Sequence, residues 1–331
     1  MFIDIYTHIF PAAFYEKMTE VAPNLGNIAK RMQAVTELHD LDARFRTMDK
    51  FGDYRQIISL PNPPIEDFAA PELGPMLARL ANDAMAEMCR KNPDRFPGFV
   101  AAVSMNNMDE TMKEIDRAIK DLGAAGIQIF TNINGRPLDD PEFQPLFAKM
   151  AEYDLPIWMH PARTAAMADY ASEKRSRYEL WWCFGWPYET SCAMVRLVLS
   201  GLFDRHPKIK VLTHHLGAMV PYFDGRVDGG MAVLGSRTTD EDYSNVLPSL
   251  KKPHIDYFHM FYGDTAMFGS FHGTKCGIEW FGADNVVFST DAPFGPIQET
   301  FDVMDRVGLD RGAAEKIFLK NAEKLMNRKL T

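Results

Sequence analysis

The sequence predicts a (β/α)8 barrel, the TIM-barrel architecture, in one domain over residues 1–331. Short apolar runs alternate with longer amphipathic segments, which is typical of a parallel sheet with helical crossovers. Eight such runs are present, and no glycine-rich phosphate-binding fingerprint follows the first of them. A closed barrel is therefore favoured over an open doubly wound sheet. The chain length also suits one such barrel with insertions.

The predicted strands are nearly all apolar, as expected when helices cover a parallel sheet and a packed interior fills its other face. In chain order they are residues 2–6, 56–60, 99–103, 126–131, 156–160, 210–214, 261–264 and 286–289.

Capping residues and a helical period of apolar residues predict the helices between these strands. Asn107 and Glu110 have the spacing of a capping box, and Asp140 followed by Pro141 is typical of a helix start. The clearest predicted helices cover residues 107–123, 140–150, 193–202 and 317–325.

Two long irregular segments, residues 62–74 and 161–189, follow the second and fifth predicted strands. Both leave the carboxyl-terminal face of the barrel, where barrel enzymes place their active sites. Long ordered loops in compact domains often act as lids, and we expect that role here. The aromatic residues from Trp181 to Trp186 either pack the lid or contact a substrate.

Composition excludes several classes of function. The net charge of −9 and the pI near 5.5 argue against a nucleic-acid backbone as partner. The four cysteines form no C-x-x-C pair, and we expect reduced thiols in a cytoplasmic protein. The sequence shows neither a signal-peptide pattern nor an apolar run long enough for a transmembrane helix.

Polar residues stand where four apolar strands end. His8, His160, the pair His214–His215 and Asp291 each follow such a run. In a barrel these ends converge on one mouth, and imidazoles with a carboxylate suit zinc, manganese or iron. A catalytic zinc site uses three protein ligands and one open position. The pattern therefore predicts one divalent metal ion.

The chain resembles the aminocarboxymuconate-semialdehyde decarboxylase-like branch of the amidohydrolase superfamily. The resemblance covers nearly the whole chain, in order. Its main motifs are "IDIYTHIFP" at 3–11, "LPIWMHP" at 155–161, "GLFDRHPKIKVLTHHLGAMVPYFDGR" at 201–226, "FGADNVVFSTDAPFG" at 281–295 and "NAEKL" at 321–325.

The resemblance implies a distorted barrel with a single metal ion at its mouth. It implies that His8, His160 and Asp291 are ligands, and that His215 is the neighbouring base or proton donor. His214 is then expected to be only a neighbour on the strand. Zinc is the expected ion, with manganese as the alternative, and a homodimer or homotetramer is expected.

One position departs from the family pattern, because the usual His-x-His at the first strand is here Tyr6-x-His8. We expect Tyr6 to hydrogen-bond a ligand or substrate, although ligation as a phenolate is an alternative. The expected substrate contacts are Tyr6, Arg163, Trp186 and Phe294. Arg163 either clamps a carboxylate or pairs with an acidic side chain.

The predicted function is non-oxidative decarboxylation of a small aromatic or unsaturated carboxylic acid, with Asp291 and His215 as the catalytic acid–base residues. The alternative is a hydrolase or hydratase that acts on a lactone, amide or enol acid through a metal-bound hydroxide. A third hypothesis is a non-catalytic barrel that binds a small acid.

Overall fold

A computed structural model describes residues 1–25 and 27–330 of the chain. Its strands are β1 Phe2–His8, β2 Tyr54–Ser59, β3 Gly98–Phe99, β4 Ala101–Ala102, β5 Ile127–Phe130, β6 Asn132–Ile133, β7 Arg136–Pro137, β8 Ile157–His160, β9 Val211–Thr213, β10 Tyr262–Asp264 and β11 Val286–Val287.

The helices lie between these strands and after the last one. They are α1 Ala12–Val21, α2 Asn27–Ala34, α3 Leu41–Met48, α4 Ile65–Phe68, α5 Gly74–Lys91, α6 Met108–Lys120, α7 Gln144–Tyr153, α8 Leu180–Cys183, α9 Gly185–Leu199, α10 Leu202–Arg205, α11 His254–Phe258, α12 Phe271–Phe281, α13 Ile297–Arg306, α14 Arg311–Glu315 and α15 Asn321–Leu325.

The strands form two parallel sheets that together make a distorted barrel. One sheet has the order β1-β2-β3, and the other has the order β11-β10-β9-β8-β5-β4. Only Val100 separates β3 from β4, so the sheets are continuous there. At the other end, the Ile5 N–H donates to the Phe288 carbonyl at 3.0 Å. All eight predicted strands are confirmed, with the third split in two.

Side chains that alternate along the strands divide into two apolar clusters. One fills the barrel interior and includes Ile3, Ile5 and Trp158, whose indole N–H donates to the Ile5 carbonyl at 3.0 Å. The other packs the outer face of the sheet against the helices. The interior cluster closes the barrel below the mouth.

Gly126 lies where the chain enters β5, and a Cβ there would stand 2.2 Å from the Pro156 carbonyl oxygen.

The predicted capping signals are confirmed in part. The Asn107 side chain accepts a hydrogen bond from the Glu110 backbone N–H, and Asp140 accepts from the Glu142 N–H. The Glu110 carboxylate contacts Lys113 and Arg79, so it does not complete the reciprocal capping box.

The prediction of a helix over residues 193–202 is wrong at both ends. Helix α9 begins at Gly185 and ends at Leu199, and Gly201 adopts a left-handed conformation before α10. The early start is possible because Pro187 lies in the first turn, where no intrahelical N–H bond is needed. The irregular segment 161–189 therefore contains α8 and the start of α9, and α4 lies within residues 62–74.

Two further features were absent from the sequence prediction. Strands β6 and β7 form a small antiparallel hairpin after β5. The last predicted helix, residues 317–325, is a wide helical turn over Lys316–Lys320 followed by α15, and the short helix α14 precedes it. No helix within residues 1–25 or 27–330 combines the length and hydrophobicity that crossing a bilayer requires.

Candidate metal centre

Three imidazoles and one carboxylate meet at the carboxyl ends of the strands. His8 ends β1, His160 ends β8, His214 directly follows β9 and Asp291 follows β11. The ring centres of His8 and His160 are 5.2 Å apart, and those of His160 and His214 are 5.1 Å apart. All four residues are buried. The fold thus brings the three predicted ligands together and adds His214.

The potential ligand atoms of this cluster are close to one another. His8, His160 and His214 each offer a ring nitrogen, and these atoms lie within 4.8 Å of one another. The Asp291 Oδ1 atom lies 3.0 Å from His8 Nε2 and 3.5 Å from His214 Nε2. This spacing is compatible with nitrogen and oxygen donors that surround one cation.

Neighbouring groups hold the far ring nitrogens of His8 and His160. The Ser59 hydroxyl donates to the Thr7 carbonyl, so its oxygen can accept from His8 Nδ1–H at 3.1 Å. His160 Nδ1–H donates to the Pro161 carbonyl at 2.8 Å. Hydrogen bonds of this kind fix the tautomer and direct Nε2 of the ring toward a metal.

Asp264, at the end of β10, anchors the His214 side chain and the turn that follows it. Its Oδ2 atom accepts from His214 Nδ1–H at 2.6 Å. Its Oδ1 atom accepts from the backbone N–H groups of His215 and Ala266, at 3.0 and 3.1 Å. The carboxylate therefore orients His214 and holds the backbone of His215.

Three buried polar atoms in the cluster make no hydrogen bond to the described residues. They are the Tyr6 hydroxyl, His8 Nε2 and His214 Nε2. With the ring proton on His8 Nδ1, the tautomer that lets Nδ1 donate to Ser59, the His8 Nε2 atom and the Asp291 carboxylate present lone pairs to each other 3.0 Å apart. Buried acceptors in this arrangement repel each other unless a cation lies between them. The donor set thus fits a divalent metal ion.

Burial and neighbouring charges favour neutral His8, neutral His160 and ionised Asp291, which are the forms that bind a metal ion. Burial lowers the pKa of His8, and it lowers the pKa of His160 well below its usual value. Burial opposes ionisation of Asp291, but contacts with His214 and His8 hold its pKa well below its usual value. Burial would lower the pKa of His214, yet Asp264 and Asp291 together raise it to about 10. Without a metal ion, His214 carries the positive charge that balances the carboxylates.

A buried network supports the backbone on the Asp291 side of the centre. Asp4 accepts from the Thr290 backbone N–H at 3.2 Å and from the Thr290 hydroxyl at 2.5 Å. The Tyr54 hydroxyl also donates to Asp4, at 2.5 Å. Asp291 itself has a left-handed backbone, which few residues other than glycine, Asn and Asp adopt. These contacts hold the carboxylate at the mouth.

A buried guanidinium supports the His8 side in the same way. Arg44 donates to the His8 carbonyl at 2.5 Å, to the Thr7 hydroxyl at 3.0 Å and to the Gln56 side-chain carbonyl at 2.7 Å. The Gln56 amide in turn donates to the Tyr54 hydroxyl at 3.0 Å. One continuous hydrogen-bonded chain therefore links the backbone segments of His8 and Asp291.

His215, the predicted acid–base residue, lies next to the cluster. Its ring stacks on that of His214 with centres 3.7 Å apart, and Nδ1–H donates to the Ala266 carbonyl at 2.5 Å. Desolvation and the neighbouring His214 lower its pKa to about 4. Its Nε2 is therefore a free, neutral base beside the centre.

The segment of residues 161–189, which we call the lid segment, covers one side of the mouth. The Trp186 ring lies 5.8 Å from that of His160, and its N–H donates to the Arg163 carbonyl at 3.1 Å. The Arg163 guanidinium pairs with Glu189 at 3.2 Å. Arg163 was expected either to clamp a carboxylate or to pair with an acidic side chain, and the structure shows the pair with Glu189. This single contact leaves other guanidinium N–H groups available.

Tyr6 and Phe294 line the cluster from two other sides. The Tyr6 ring lies 4.4 Å from the His214 ring and 5.3 Å from the His8 ring. The Phe294 ring lies 5.8 Å from the His8 ring and is half-buried. All predicted site residues thus lie in or around one centre, and their individual roles stay predictions.

The sequence analysis underestimated His214 and did not identify Ser59, Asp264 or Arg44. The doublet at 214–215 signalled a special position, but the alternation of side chains along a strand could not say which ring faces the mouth. In the structure the His214 ring joins the cluster and the His215 ring stacks on it, at a turn where His215 and Leu216 have a left-handed backbone. The supporting groups come from other strands and from helix α3, and they carry no local signal.

Comparison with known proteins places the chain in a family. Residues 3–328 match the family model for amidohydrolases. A gamma-resorcylate decarboxylase from Polaromonas sp. (strain JS666) is 33% identical over 299 residues, which is 86% of each chain. A 2-amino-3-carboxymuconate-6-semialdehyde decarboxylase from Dictyostelium discoideum is 28% identical over 69% of this chain and 66% of the relative.

Solved structures agree with this relationship. A 2,6-dihydroxybenzoate decarboxylase complexed with 2,6-dihydroxybenzoate has a TM-score of 0.79 and 27% identity, over 98% of both chains. A dihydroxybenzoic acid decarboxylase from Polaromonas sp. JS666, with bound manganese and the inhibitor 2-nitroresorcinol, has a TM-score of 0.77 and 26% identity, over 98% of this chain and 96% of that one. The predicted resemblance is confirmed, and the chain belongs to the amidohydrolase family.

Proposed function

We propose that this chain is a metal-dependent, non-oxidative decarboxylase of a small aromatic carboxylic acid. The observation that carries the proposal is the buried cluster of His8, His160 and Asp291 at the barrel mouth, in which the His8 and His160 rings are 5.2 Å apart and His8 Nε2 lies 3.0 Å from the Asp291 carboxylate. The relatives that are named as decarboxylases of dihydroxybenzoates support the reaction class.

His8, His160 and Asp291 would hold one divalent ion. The bound ion would draw charge from the carboxylate and an adjacent oxygen of the substrate. Manganese in the related Polaromonas structure makes it the first ion to test, and zinc, which the sequence analysis expected, is the second. Catalytic metal sites keep a coordination position for water or substrate, and even zinc can expand to five ligands, which is compatible with this use.

The residues around the centre would deliver and accept the proton that the reaction needs. When the bond between the ring carbon and the carboxyl carbon breaks, the electron pair stays on the ring carbon, carbon dioxide leaves and a proton must take its place. Asp291 is ionised at rest, so it would first take a proton from solvent or from a phenol group of the substrate and then deliver it to the ring carbon, while His215 Nε2 can accept or return one beside it. Both catalytic assignments are part of the proposal.

The substrate would lie between the centre and the lid segment. Arg163 has guanidinium N–H groups beyond its contact with Glu189 that can bind a carboxylate or phenol oxygen. Trp186 and Phe294 flank the imidazoles and offer faces for an aromatic ring. The buried Tyr6 hydroxyl is a free donor for a substrate oxygen.

The experiment is a panel of hydroxybenzoic acids incubated with the metal-loaded protein. Release of carbon dioxide and formation of the matching phenol are the expected results, and the Asp291→Asn variant is the control. Hydrolysis of a lactone or amide, or hydration of an enol acid, without gas release would contradict the proposal and favour the hydrolase or hydratase alternative. Binding of the acids without turnover would favour the non-catalytic barrel.

We further propose that the chain works as a homodimer or homotetramer in the cytoplasm. Large exposed aromatic side chains, among them Phe184, Tyr188 and Tyr222, offer apolar area for self-association. Sedimentation velocity of the purified protein tests the oligomeric state, and a monomer at micromolar concentration would contradict it.

A further inference from the structure

We infer that His214 is an additional metal ligand of this chain, and that it takes the place of the first-strand ligand that Tyr6 replaces. The inference rests on the proposed metal centre of His8, His160 and Asp291, and it adds a third imidazole to that set. The family resemblance gives His214 no such role, because His215 is the residue that matches the family pattern.

The position of His214 supports ligation. The side chain is 1% exposed, and its Nε2 lies 3.5 Å from the Asp291 Oδ1. The ring nitrogens of His8, His160 and His214 lie within 4.8 Å of one another. Two nitrogens bound to one zinc ion, each at ~2.1 Å, are at most about 4.2 Å apart. A spacing of up to 4.8 Å is wider than this limit, so the rings would move inward by small rotations when they bind one ion.

The surroundings of His214 are those of a metal ligand. Its Nδ1–H donates to Asp264 at 2.6 Å, which fixes the ring and leaves Nε2 directed at the centre. Carboxylate–histidine pairs of this kind commonly orient metal-bound imidazoles. His8 and His160 have the same arrangement, with Nδ1 held by Ser59 and by a backbone carbonyl respectively. The three rings are thus held in the same way, each with Nδ1 hydrogen-bonded and Nε2 left for the centre.

A protonated His214 without a metal is the competing arrangement, since the ring lies between Asp264 and Asp291. Its Nε2–H would then have the Asp291 Oδ1 atom 3.5 Å away as its nearest acceptor, outside hydrogen-bond geometry. A charged donor without a well-formed hydrogen bond in a buried site is costly. A cation at this point satisfies His214 Nε2 and His8 Nε2 together, and it neutralises Asp291.

Tyr6 explains why the additional ligand is needed. A phenol must lose its proton to bind a cation strongly, whereas an imidazole binds in its neutral form. The Tyr6 ring packs 4.4 Å from the His214 ring, so the two residues share one wall of the centre. The resulting set of three imidazoles and one carboxylate should favour zinc, cobalt or nickel over manganese more strongly than an oxygen-rich set does.

The test counts the coordinated imidazoles by proton NMR of the protein loaded with Co²⁺. Each histidine bound through Nε2 gives one strongly shifted Nδ1–H resonance that disappears in D₂O. All three Nδ1–H groups are hydrogen-bonded, which slows their exchange with water. We expect three such resonances from the wild type, two from His214→Asn and three from the matched control His215→Asn.

Metal affinity is the second measurement, made by competition of Co²⁺ with a chromophoric chelator. Loss of an orienting partner costs 10–100-fold in affinity, so Asp264→Asn should weaken binding about that much, and His214→Asn at least as much. Circular dichroism checks that each variant is folded. The wild-type count remains decisive if a variant fails to fold.

The outcomes separate this inference from the proposed function. Two resonances from the wild type, or unchanged affinity in folded His214→Asn, would overturn the role of His214 and leave the metal centre intact. Absence of Co²⁺ binding to the wild type would overturn the metal centre and the proposed function together.

Discussion

At the scale of single residues, the centre depends on polar groups that lie out of water with few partners. Asp291 faces His8 and His214, and each imidazole is fixed by a group from another strand. In such surroundings a change of one charge alters binding and catalysis far more than a change on the surface does. Two predictions follow from buried carboxyl groups.

Asp291→Asn should abolish most of the decarboxylation. The amide keeps the shape of the side chain but loses its negative charge and its ability to exchange a proton at the centre. We expect the rate to fall by roughly 10²–10⁴-fold, as for other positioned acid–base groups. Phenol formation followed by liquid chromatography measures the effect. Asp302→Asn, at an exposed position on α13, is the control; an equal loss in both variants would contradict the assignment.

Glu66 should make the stability of the protein depend on pH. It lies on α4, it is buried, and its Oε2 has no hydrogen-bond partner among the described side chains and backbone. Burial raises the pKa of Glu66 to about 8. Between about pH 4.5 and about pH 8 the folded protein therefore keeps a proton that the unfolded chain releases, so this residue lowers the free energy of unfolding as the pH rises.

Comparison of the wild type with Glu66→Gln isolates that contribution. Relative to the variant, the wild type should lose roughly 1.4 kcal/mol of unfolding free energy per pH unit across this window. Urea unfolding at pH 5 and at pH 8.5 measures the difference, with the exposed Glu72→Gln as the matched control. Parallel pH profiles for wild type and Glu66→Gln would refute the prediction.

At the scale of elements, the lid segment joins the centre to solvent. It runs from the end of β8 into α9, so Arg163 lies three residues after His160, and Trp186 returns to pack on the His160 ring from the start of α9. Helices α8 and α9 hold the aromatic side chains in fixed positions rather than in a loose loop. Two predictions concern this segment.

Gly185→Ala should weaken substrate binding without removing the metal ion. A Cβ at this position would stand 2.4 Å from Arg163 Cδ, so the arginine must move. We expect KM for an aromatic acid to rise about tenfold or more while the metal content stays constant. Steady-state kinetics and elemental analysis provide the two readings. Gly229→Ala is the matched control, because no atom lies within 4 Å of a Cβ there.

The outer part of the lid segment should attract anionic substrates. A cavity of about 940 Å³ is lined by Trp181 and by more cations than anions, namely Lys30, Lys174, Arg175 and Arg177 against Glu173 and Glu179. Trp181 lies 5.6 Å from Trp186, which in turn packs on the His160 ring. In a protein with a net charge of −9, this local excess of positive charge can guide a carboxylate toward the mouth.

The variant Lys174→Gln/Arg175→Gln tests this role. It should lower kcat/KM for a hydroxybenzoate severalfold at low salt and leave kcat unchanged. Added salt should reduce the difference, because screening weakens attraction between exposed charges. A difference that persists at high ionic strength would show that these residues do not act through long-range charge.

At the scale of the whole molecule, the candidate metal centre connects the first and the last strand of the barrel. His8 lies on β1 and Asp291 follows β11, the strands at the outer edges of the two sheets. The Asp4–Arg44 network joins the same two segments below the mouth. A cation held between them would thus favour the closed barrel.

Removal of the metal ion should lower the melting temperature. A ligand present at 100 times its Kd stabilises the folded state by about 2.7 kcal/mol, and that amount is lost when a chelator removes it. Differential scanning calorimetry before and after treatment with EDTA measures the shift, and added Mn²⁺ or Zn²⁺ should restore it. His160→Ala should show a much smaller shift; an equal shift in this variant would indicate metal binding elsewhere.

The strand order and the convergence of distant residues could be predicted because both follow from short-range patterns. Apolar runs identify the eight strands, and polar residues at their ends identify His8, His160, the His214–His215 pair and Asp291 as candidates once a parallel barrel is assumed. Helix boundaries in residues 185–202 could not be predicted in the same way. The aromatic residues there have no simple period, and Pro187 suggests a loop although it is tolerated in a first helical turn.

The sequence by itself determined the barrel and the mouth at which the site lies, because periodicity and strand ends are local properties of the chain. The strand ends also gave the candidates His8, His160, His214–His215 and Asp291, and the family resemblance implied which three are ligands. Only the tertiary structure decided that the His214 ring joins the cluster, that Asp264 and Arg44 support it, and that Arg163 meets Glu189. These contacts join residues far apart in the chain, and their geometry depends on left-handed turns and strand pairing that no local pattern encodes.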